Sequence, residues 1–474
     1  MEKPTANGDL KDSLVVCLSG EGREVRGRLV KLTRHAVAFE VFSHGSDLRL
    51  SEVLAGFRII FHEHTIYSGH ATVSNLMTMG HAIVCTATLE EISWTAVSVA
   101  GPATVTGTLP EKFGEFLDGW QKSYKVAPEY KNIVADLQNF LTDFRLWVEQ
   151  VESGLPEKVS PQVERELAEG IAACAFPAID ALFEKYELVA SRVERGLEAA
   201  HQVYARRQLQ PLLLCAPFAH RAVTKPMGYA GDYGIVNMIL DDPHQGDSLY
   251  AKILNRWFVA QPPAAAHRNR VNYLTARLHE ETLRAARTPG KKMRAYNVGA
   301  GPAKEMQDFM AQHALADLGE FTLVDFNEET LTHAKKVLSA SRDRHRRRTQ
   351  LQFSKKSVAQ LLRSEGKIRN RTAEQQYDLV YCAGLFDYLT DAVCQEFMDV
   401  LYDLVAPGGL LIVTNVDAGN PIKHWLAYVL EWHLIYRSSA EMRALRPEAA
   451  SAEETRVVSD PTGVNIYLEV RKPA

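Results

Sequence analysis

At 474 residues the chain is longer than one ordinary core requires, and roughly 150 residues per domain predicts about three units. Its 46% hydrophobic and 24% charged residues are those of a folded globular protein, which excludes a disordered or fibrous class. With 54 basic against 58 acidic residues the net charge is −4, so the one-sided basic field that nucleic acid selects is absent and small molecules are the expected partners.

Six cysteines (Cys17, Cys85, Cys174, Cys215, Cys382, Cys394) form neither a CxxC pair nor a Cys/His cluster, so no metal site and no disulfide framework is expected. The start, Met1 to Leu10, lacks the basic-then-apolar pattern of a secretory signal, and no run reaches the roughly 18 apolar residues of a membrane span. A cytoplasmic location is the expectation.

From Leu14 to about Val99, short runs rich in Val, Ile, Phe and Thr, such as Ser13–Ser19 and Val37–Phe42, predict the strands of a small β-barrel or sandwich. Gly101 to Pro110 reads as an exit linker. Between Glu111 and Arg284 the spacing turns helical. Ile133, Val134, Leu137, Phe140 and Leu141 make one buried face, similar stripes run from Val163 to Val193, and Gln261-Pro262-Pro263 opens a helix carrying His267, Arg268, Arg270 and Tyr273. The run Arg342–Arg348 reads as a solvated helix end, where cations offset the dipole, with an RNA-binding patch as the alternative.

From Lys292 on, strand-like runs alternate with helices, the pattern of a parallel sheet covered on both faces. Met293–Val298 leads into Gly299-Ala300-Gly301, a strand-to-helix turn that a ligand can approach closely, or that serves structure alone; a nicotinamide site begins the same way. The next strand ends at Asp325, suited to a ribose diol or to capping the following helix. Further on come Tyr377-Asp-Leu-Val, Ala383-Gly384-Leu-Phe-Asp387-Tyr388 and Pro407-Gly408-Gly409.

This order, over about Lys291 to Lys472, resembles the class I S-adenosylmethionine-dependent methyltransferases. The resemblance implies a Rossmann-like α/β domain with a seven-stranded, mostly parallel sheet. It also implies cofactor contacts from Asn297, Gly299, Ala300, Gly301, Asp325, Phe326, Ser357, Val358, Ala383 and Gly384. Two departures stand out: Ala303 replaces the third glycine, and Lys356-Ser357 replaces the usual acid near the adenine.

Methyl transfer from a sulfonium is an in-line displacement, so the protein must mainly position the acceptor; a carboxylate acceptor needs no base, whereas an amine or hydroxyl usually does. Acceptor residues belong beyond the carboxyl ends of the strands, which brings in Tyr388, Asn415, His424, Trp432 and His433; for the two histidines, packing with the tryptophans is the alternative. Ahead of the sheet, Gly228-Tyr229-Ala-Gly231-Asp232-Tyr233 predicts a shaped loop, read as a lid or as a packing turn, with Tyr229, Asp232, Tyr233 and His433 as the candidate catalytic groups.

Gly228–Tyr233, Asn255–Phe258, Arg268–Arg270, Gly384–Leu389, Trp432–Arg437 and Pro461–Asn465 together resemble bacterial proteins of extracellular factor 3-hydroxypalmitic acid methyl ester biosynthesis. That resemblance implies carboxyl O-methylation of a 3-hydroxy fatty acid, with Arg268, Arg270 or Arg437 clamping the carboxylate or serving as ion-pair residues. The alternatives are N- or O-methylation of another small metabolite and a non-catalytic, signal-responsive interaction protein.

Gly22–Val41 with Leu50–Leu54 resembles PilZ domains, small barrels that often bind cyclic di-GMP. Arg23, Arg26 and Arg28 match the phosphate-gripping arginines, but Leu32–Val37 occupies the stretch of the guanine-binding half. The resemblance therefore implies a degenerate barrel for dimerisation or partner docking, with cyclic di-GMP as the alternative role. The expected division is a PilZ-like barrel over 1–105, a helical cap over 106–285 and the methyltransferase domain over 286–474.

Overall fold

Along Glu24–Leu32 buried and exposed residues alternate, the signature of a strand with one face on a core. The computed structural model describes residues 13–20, 22–41, 48–61, 64–79, 82–90, 94, 125–156, 159–366 and 371–474; the linker expected at Gly101 to Pro110 lies outside them. Contacts gather into two units. One holds Met1–Ala230, His244–Asn255 and Ile422–His433, the other Gly231–Pro243, Arg256–Pro421 and Leu434–Ala474.

In the first unit six antiparallel strands, β1 (Ser13–Leu18), β2 (Glu24–Leu32), β3 (Ala36–Val41), β4 (Val53–Phe61), β5 (His64–Met79) and β6 (Ala82–Leu89), close into a barrel in the order β1-β2-β3-β6-β5-β4. Its core is aromatic: Phe39, Phe57 and Tyr67 meet edge to face at centroid distances of 5.7 and 6.1 Å. Gly27 is required at its place, since a Cβ there would lie 2.6 Å from the Phe39 ring. Arg26 and Arg28 point outward and pair with Glu24 and Glu40 at 2.7 and 2.8 Å.

Long helices follow in the same unit. Pro128–Ser153 buries Tyr130, Ile133, Val134, Leu137, Leu141 and Val148, one stripe at helical spacing. Ser160 caps Pro161–Ala190 by accepting from the Val163 N–H. The two helices are tied by Tyr130 and Tyr186, whose hydroxyls lie 2.7 Å apart. Glu187 receives the segment that returns late in the chain: its carboxylate accepts from the backbone N–H groups of His424 (3.2 Å) and Trp425 (2.6 Å) and lies 2.8 Å from His424 Nδ1. An acid there satisfies orphan donors at the start of the helix Lys423–Tyr428.

In the second unit β7 (Met293–Val298), β8 (Gly319–Asp325), β9 (Gln350–Lys355), β10 (Tyr377–Cys382), β11 (Val405–Val416), β12 (Thr455–Ser459) and β13 (Asn465–Arg471) form one sheet in the order β12-β13-β11-β10-β7-β8-β9. β7 to β11 are parallel, and β13 alone runs against them. The strand order reverses between β7 and β10, and a crevice opens at the carboxyl ends at such a point. Each face carries its own apolar layer. Tyr296, Val298, Val380, Cys382 and Val413 belong to one, and Ala295, Leu323, Leu379, Tyr381 and Ile412 to the other, where Leu274 and Leu278 of the helix Pro262–Ala286 pack. Among the described residues no helix is long and apolar enough to cross a membrane, and all six cysteines are free.

Glu187→Ala leaves the N-terminal turn of Lys423–Tyr428 without its acceptor. The expected loss is about 1.5–3 kcal/mol, seen as a lower midpoint in urea or thermal unfolding; an unchanged midpoint would remove Glu187 as the anchor.

Candidate functional site

The turn after β7 is built on left-handed backbone. Gly299 has φ +78° and Gly301 φ +50°, and Ala303, where a third glycine was expected, also stands at φ +50°. For a residue with a Cβ that conformation costs about 1–2 kcal/mol. Ala303 is held there by burial and by its N–H bond to the Ala300 carbonyl at 3.0 Å, just before the helix Lys304–Gln312 begins. Space above the turn is open: a Cβ at Gly301 would meet nothing within 4 Å.

Below the turn lies a buried polar group that sequence reading missed. Glu305 accepts from Tyr381 Oη at 2.7 Å and from Asn297 Nδ2 at 3.4 Å. Burial pushes its carboxyl above the usual range. The other end of the Asn297 amide, Oδ1, is buried without a protein partner. An acid in the first turn of a helix whose apolar face is buried was the only sequence signal for Glu305.

At the end of β8, Asp325 is buried and accepts from the Asn327 N–H at 2.9 Å, while its carbonyl takes the N–H of Lys356. Capping of the helix Glu328–Arg344 falls to Asn327, which accepts from Glu329 and Thr330, so Asp325 is not the cap. Ser357 closes a capping box with Gln360 at the start of Val358–Glu365. Lys356 pairs with Glu365 at 2.9 Å.

After β10, Gly384 stands at φ +87° and donates its N–H to Thr414 Oγ1 at 2.9 Å. A Cβ at this position would lie 3.0 Å from Arg270 Nη1, so the guanidinium sits directly against the turn. Arg270 Nη2 is 2.9 Å from His267 Nδ1. Burial, Arg270 and Arg268 hold that imidazole well below its usual value, so it is a neutral acceptor. Among the described residues Arg270 forms no ion pair.

The other two arginines have partners within the protein, Arg268 through one nitrogen and Arg437 through all three. Arg268 donates to the carbonyls of Ile239 and Val259 at 3.1 and 2.9 Å. Arg437 is 2% exposed and donates to Phe386 O, Leu389 O, Asn415 Oδ1 and Asp391 Oδ1 at 2.6 to 2.9 Å. Asn415 also donates, to Val416 O and Ile435 O. Asp387, in the turn that Arg437 holds, accepts from the Val416 N–H at 2.7 Å, and burial pushes its carboxyl up to about 6. Tyr388 follows in the same short 3₁₀ turn.

The loop Gly228–Tyr233 is a shaped turn, with Gly228 and Gly231 at φ +80° and +74°. Asp232 caps the helix Tyr233–Leu240, accepting from Gly234 and Ile235 at 2.7 and 3.0 Å. Tyr233 donates to Glu329 at 2.9 Å and stacks on His333, which places it over the helix that follows Asp325. Tyr229, Trp432 and His433 belong to the first unit. There Trp432 stacks on Phe218, His433 is locked to Ser51 through its backbone N–H and carbonyl, and burial followed by Lys225 pushes its imidazole down to about 3.

Residues 296–411 match a family model described as a methyltransferase domain. No curated protein matches the chain. A possible exported protein from Bordetella parapertussis is similar over 67% of this chain and 100% of its own, at 16% identity and a TM-score of 0.41. Magnesium protoporphyrin IX methyltransferase from Synechocystis PCC 6803, with bound S-adenosylhomocysteine, is 13% identical over 44% of this chain and 84% of its own, at 0.31. The N-methyltransferase NodS from Bradyrhizobium japonicum WM9, also in complex with S-adenosyl-L-homocysteine, is 14% identical over 42% and 87%, at 0.27. The match places a methyltransferase domain in the second unit, and S-adenosylmethionine is the cofactor that such a domain implies. The open turn at Gly301 and the buried, unpartnered Asn297 Oδ1 fit such a ligand.

Asp325→Ala is expected to weaken S-adenosylhomocysteine binding by about 1.5–3 kcal/mol, the value of hydrogen bonds to a charged group. Titration calorimetry measures this, and wild-type affinity would end a ribose role for Asp325.

Proposed function

We propose that this chain methylates the carboxylate oxygen of a small acceptor such as a 3-hydroxy fatty acid. The observation that supports the reading is Arg270, a partly buried cation against the Gly384 turn whose near partner is the neutral His267. Arg268 Nη1 is taken by two carbonyls and Arg437 has spent its donors on carbonyls, an amide and Asp391; of the three arginines Arg270 is the one that rests against the Gly384 turn, where its fork could take a carboxylate.

When bound, S-adenosylmethionine supplies an electrophilic methyl group on a sulfonium. In this reading Asn297 and the Gly299–Gly301 turn hold its amino acid end, Asp325 and Phe326 its ribose, Ser357 and Val358 the adenine side, and Ala383 and Gly384 complete the wall. Arg270 holds the acceptor so that a carboxylate oxygen faces the methyl in line, which converts an encounter into a positioned displacement. No proton has to be removed. That agrees with the duties of the expected bases, since Asp232 caps a helix and an imidazole held near 3 cannot accept a proton from a hydroxyl at neutral pH.

One observation favours the rival reading, methylation of a hydroxyl or amine. Asp387 is a buried carboxyl brought up to about 6 at the end of β10, the range a general base needs. A base must be ionised, so its activity would rise as pH passes through about 6.

Arg270→Met is expected to raise KM for carboxylate acceptors about tenfold to a hundredfold, the worth of a charge-assisted pair, while leaving S-adenosylhomocysteine affinity in place. Wild-type kinetics in the variant would sink the clamp. With a carboxylate acceptor, kcat should be flat across pH 6 both in the wild type and in Asp387→Asn. An inflection near 6 that the substitution abolishes, together with lost turnover, would move the assignment to the base-dependent class.

A further inference from the structure

We propose that Tyr467 is an acceptor-binding residue, its hydroxyl forming with the Arg270 guanidinium the corner that holds the acceptor's carboxylate. This rests on the carboxylate reading above. Tyr467 lies on β13, is 1% exposed, and its hydroxyl has no hydrogen-bond partner in the protein. A buried hydroxyl left unpaired destabilises a fold, and phenylalanine would pack the same ring without that cost. Stability alone therefore gives no reason for a tyrosine here.

The ring is held rigidly. It stacks face to face on Tyr273, centroids 4.1 Å apart and planes 7° apart. Tyr273 donates to Glu469, and Arg277 lies over its ring at 4.9 Å while pairing with Glu469 at 2.8 Å. Tyr273 and Arg277 are three and seven residues beyond Arg270, so all three lie along one face of the helix Pro262–Ala286.

Tyr467 itself sits towards the crevice end of the sheet. Tyr467 pairs in register with Thr414, the residue that receives the Gly384 N–H, and Gly384 is where Arg270 rests. The charges of Arg270 and Asp460 both reach the phenol, and burial keeps it protonated, hence a donor. Asp460 does not take that donor, because Asn269, Thr462 and Asn465 occupy its oxygens at 2.8 to 3.1 Å. Asn465 Oδ1, two residues before Tyr467 on the same strand, is a second buried polar atom without a protein partner. A carboxylate with one oxygen on Arg270 and the other on Tyr467 matches these two donors, while Asn465 Oδ1, an acceptor, suits a hydroxyl of the ligand and not its carboxylate.

The test compares wild type and Tyr467→Phe as full chains. It uses calorimetry with S-adenosylhomocysteine and with methylthioadenosine, which lacks the methionine carboxylate, and methyl-transfer kinetics and binding with a chain-length series of 3-hydroxy fatty acids. The expected result is a thermal midpoint at or above wild type, S-adenosylhomocysteine affinity within about twofold, and KM for the acid raised about tenfold with kcat little changed. Wild-type KM in the variant, with the wild type turning over these acids, overturns the role of Tyr467 and leaves the carboxylate reading standing. Lost affinity for S-adenosylhomocysteine with methylthioadenosine unaffected would mean that the corner holds the cofactor's own carboxylate, which also overturns it. A wild type that neither binds nor methylates any of the acids ends the carboxylate reading and this assignment with it.

Discussion

The buried guanidinium of Arg437 is the fixed point of the second unit. A planar fork with five donors has one low-energy way to be buried, with every donor met. Phe386 O, Leu389 O and Asn415 Oδ1 meet most of them, and Asp391, whose side chain is 77% exposed, meets the rest. Carbonyl dipoles rather than a buried counter-ion therefore carry much of the compensation. The consequence is geometric. The turn after β10 is bound to the end of β11, so the positions of Gly384, Asp387 and Asn415 are set together. Two further bonds, from Gly384 N–H to Thr414 Oγ1 and from Val416 N–H to Asp387 Oδ1, tie the same turn to β11.

The opposite edge is defined by backbone conformation. Gly299 and Gly301 adopt the left-handed region at no steric cost, whereas Ala303 adopts it under strain. The strain is tolerated because Ala303 is 1% exposed in the apolar layer beneath the turn and its small Cβ fits there. Glu305, Asn297 and Tyr381 then fill the floor with a polar group that no apolar side chain could replace without stranding its neighbours.

Much of this was legible in the sequence, and what was not has a common cause. The glycine turn and the acid ending the second strand of the domain are local, each stating its conformation within a few residues, whereas Pro407-Gly408-Gly409, which reads as a turn, lies inside β11 at a shift of register. Alternation in β2 and the stripe in Pro128–Ser153 likewise need no partner to be read. The Glu305 to Tyr381 bond joins residues 76 apart, and only the adjacency of β7 and β10 brings them together. A charge in a sequence does not say what surrounds it, so Arg437 reads like a substrate clamp until its four acceptors are seen. Nor does it show that Ile422–His433 returns to the first unit while the residues on either side belong to the second.

Three cations with different surroundings show how placement decides use. Lys225, buried, is pushed down to about 8 by its burial, and its ammonium donates to the Glu431 carbonyl. Against burial, Arg206 and Lys225 pull the Glu431 carboxyl down to about 2, so that cluster is closed on itself. Arg437 is closed by carbonyls. Removing a charge from water is costly unless partners replace the water, and both of these groups have their partners within the protein. Arg270 is arranged differently: partly buried, beside a neutral imidazole, with the unpaired Tyr467 hydroxyl in its field and no carboxylate of the described chain within ion-pair distance. A protein selected for stability alone would place an acid there, and the absence of one is understandable if the acid is brought by the ligand.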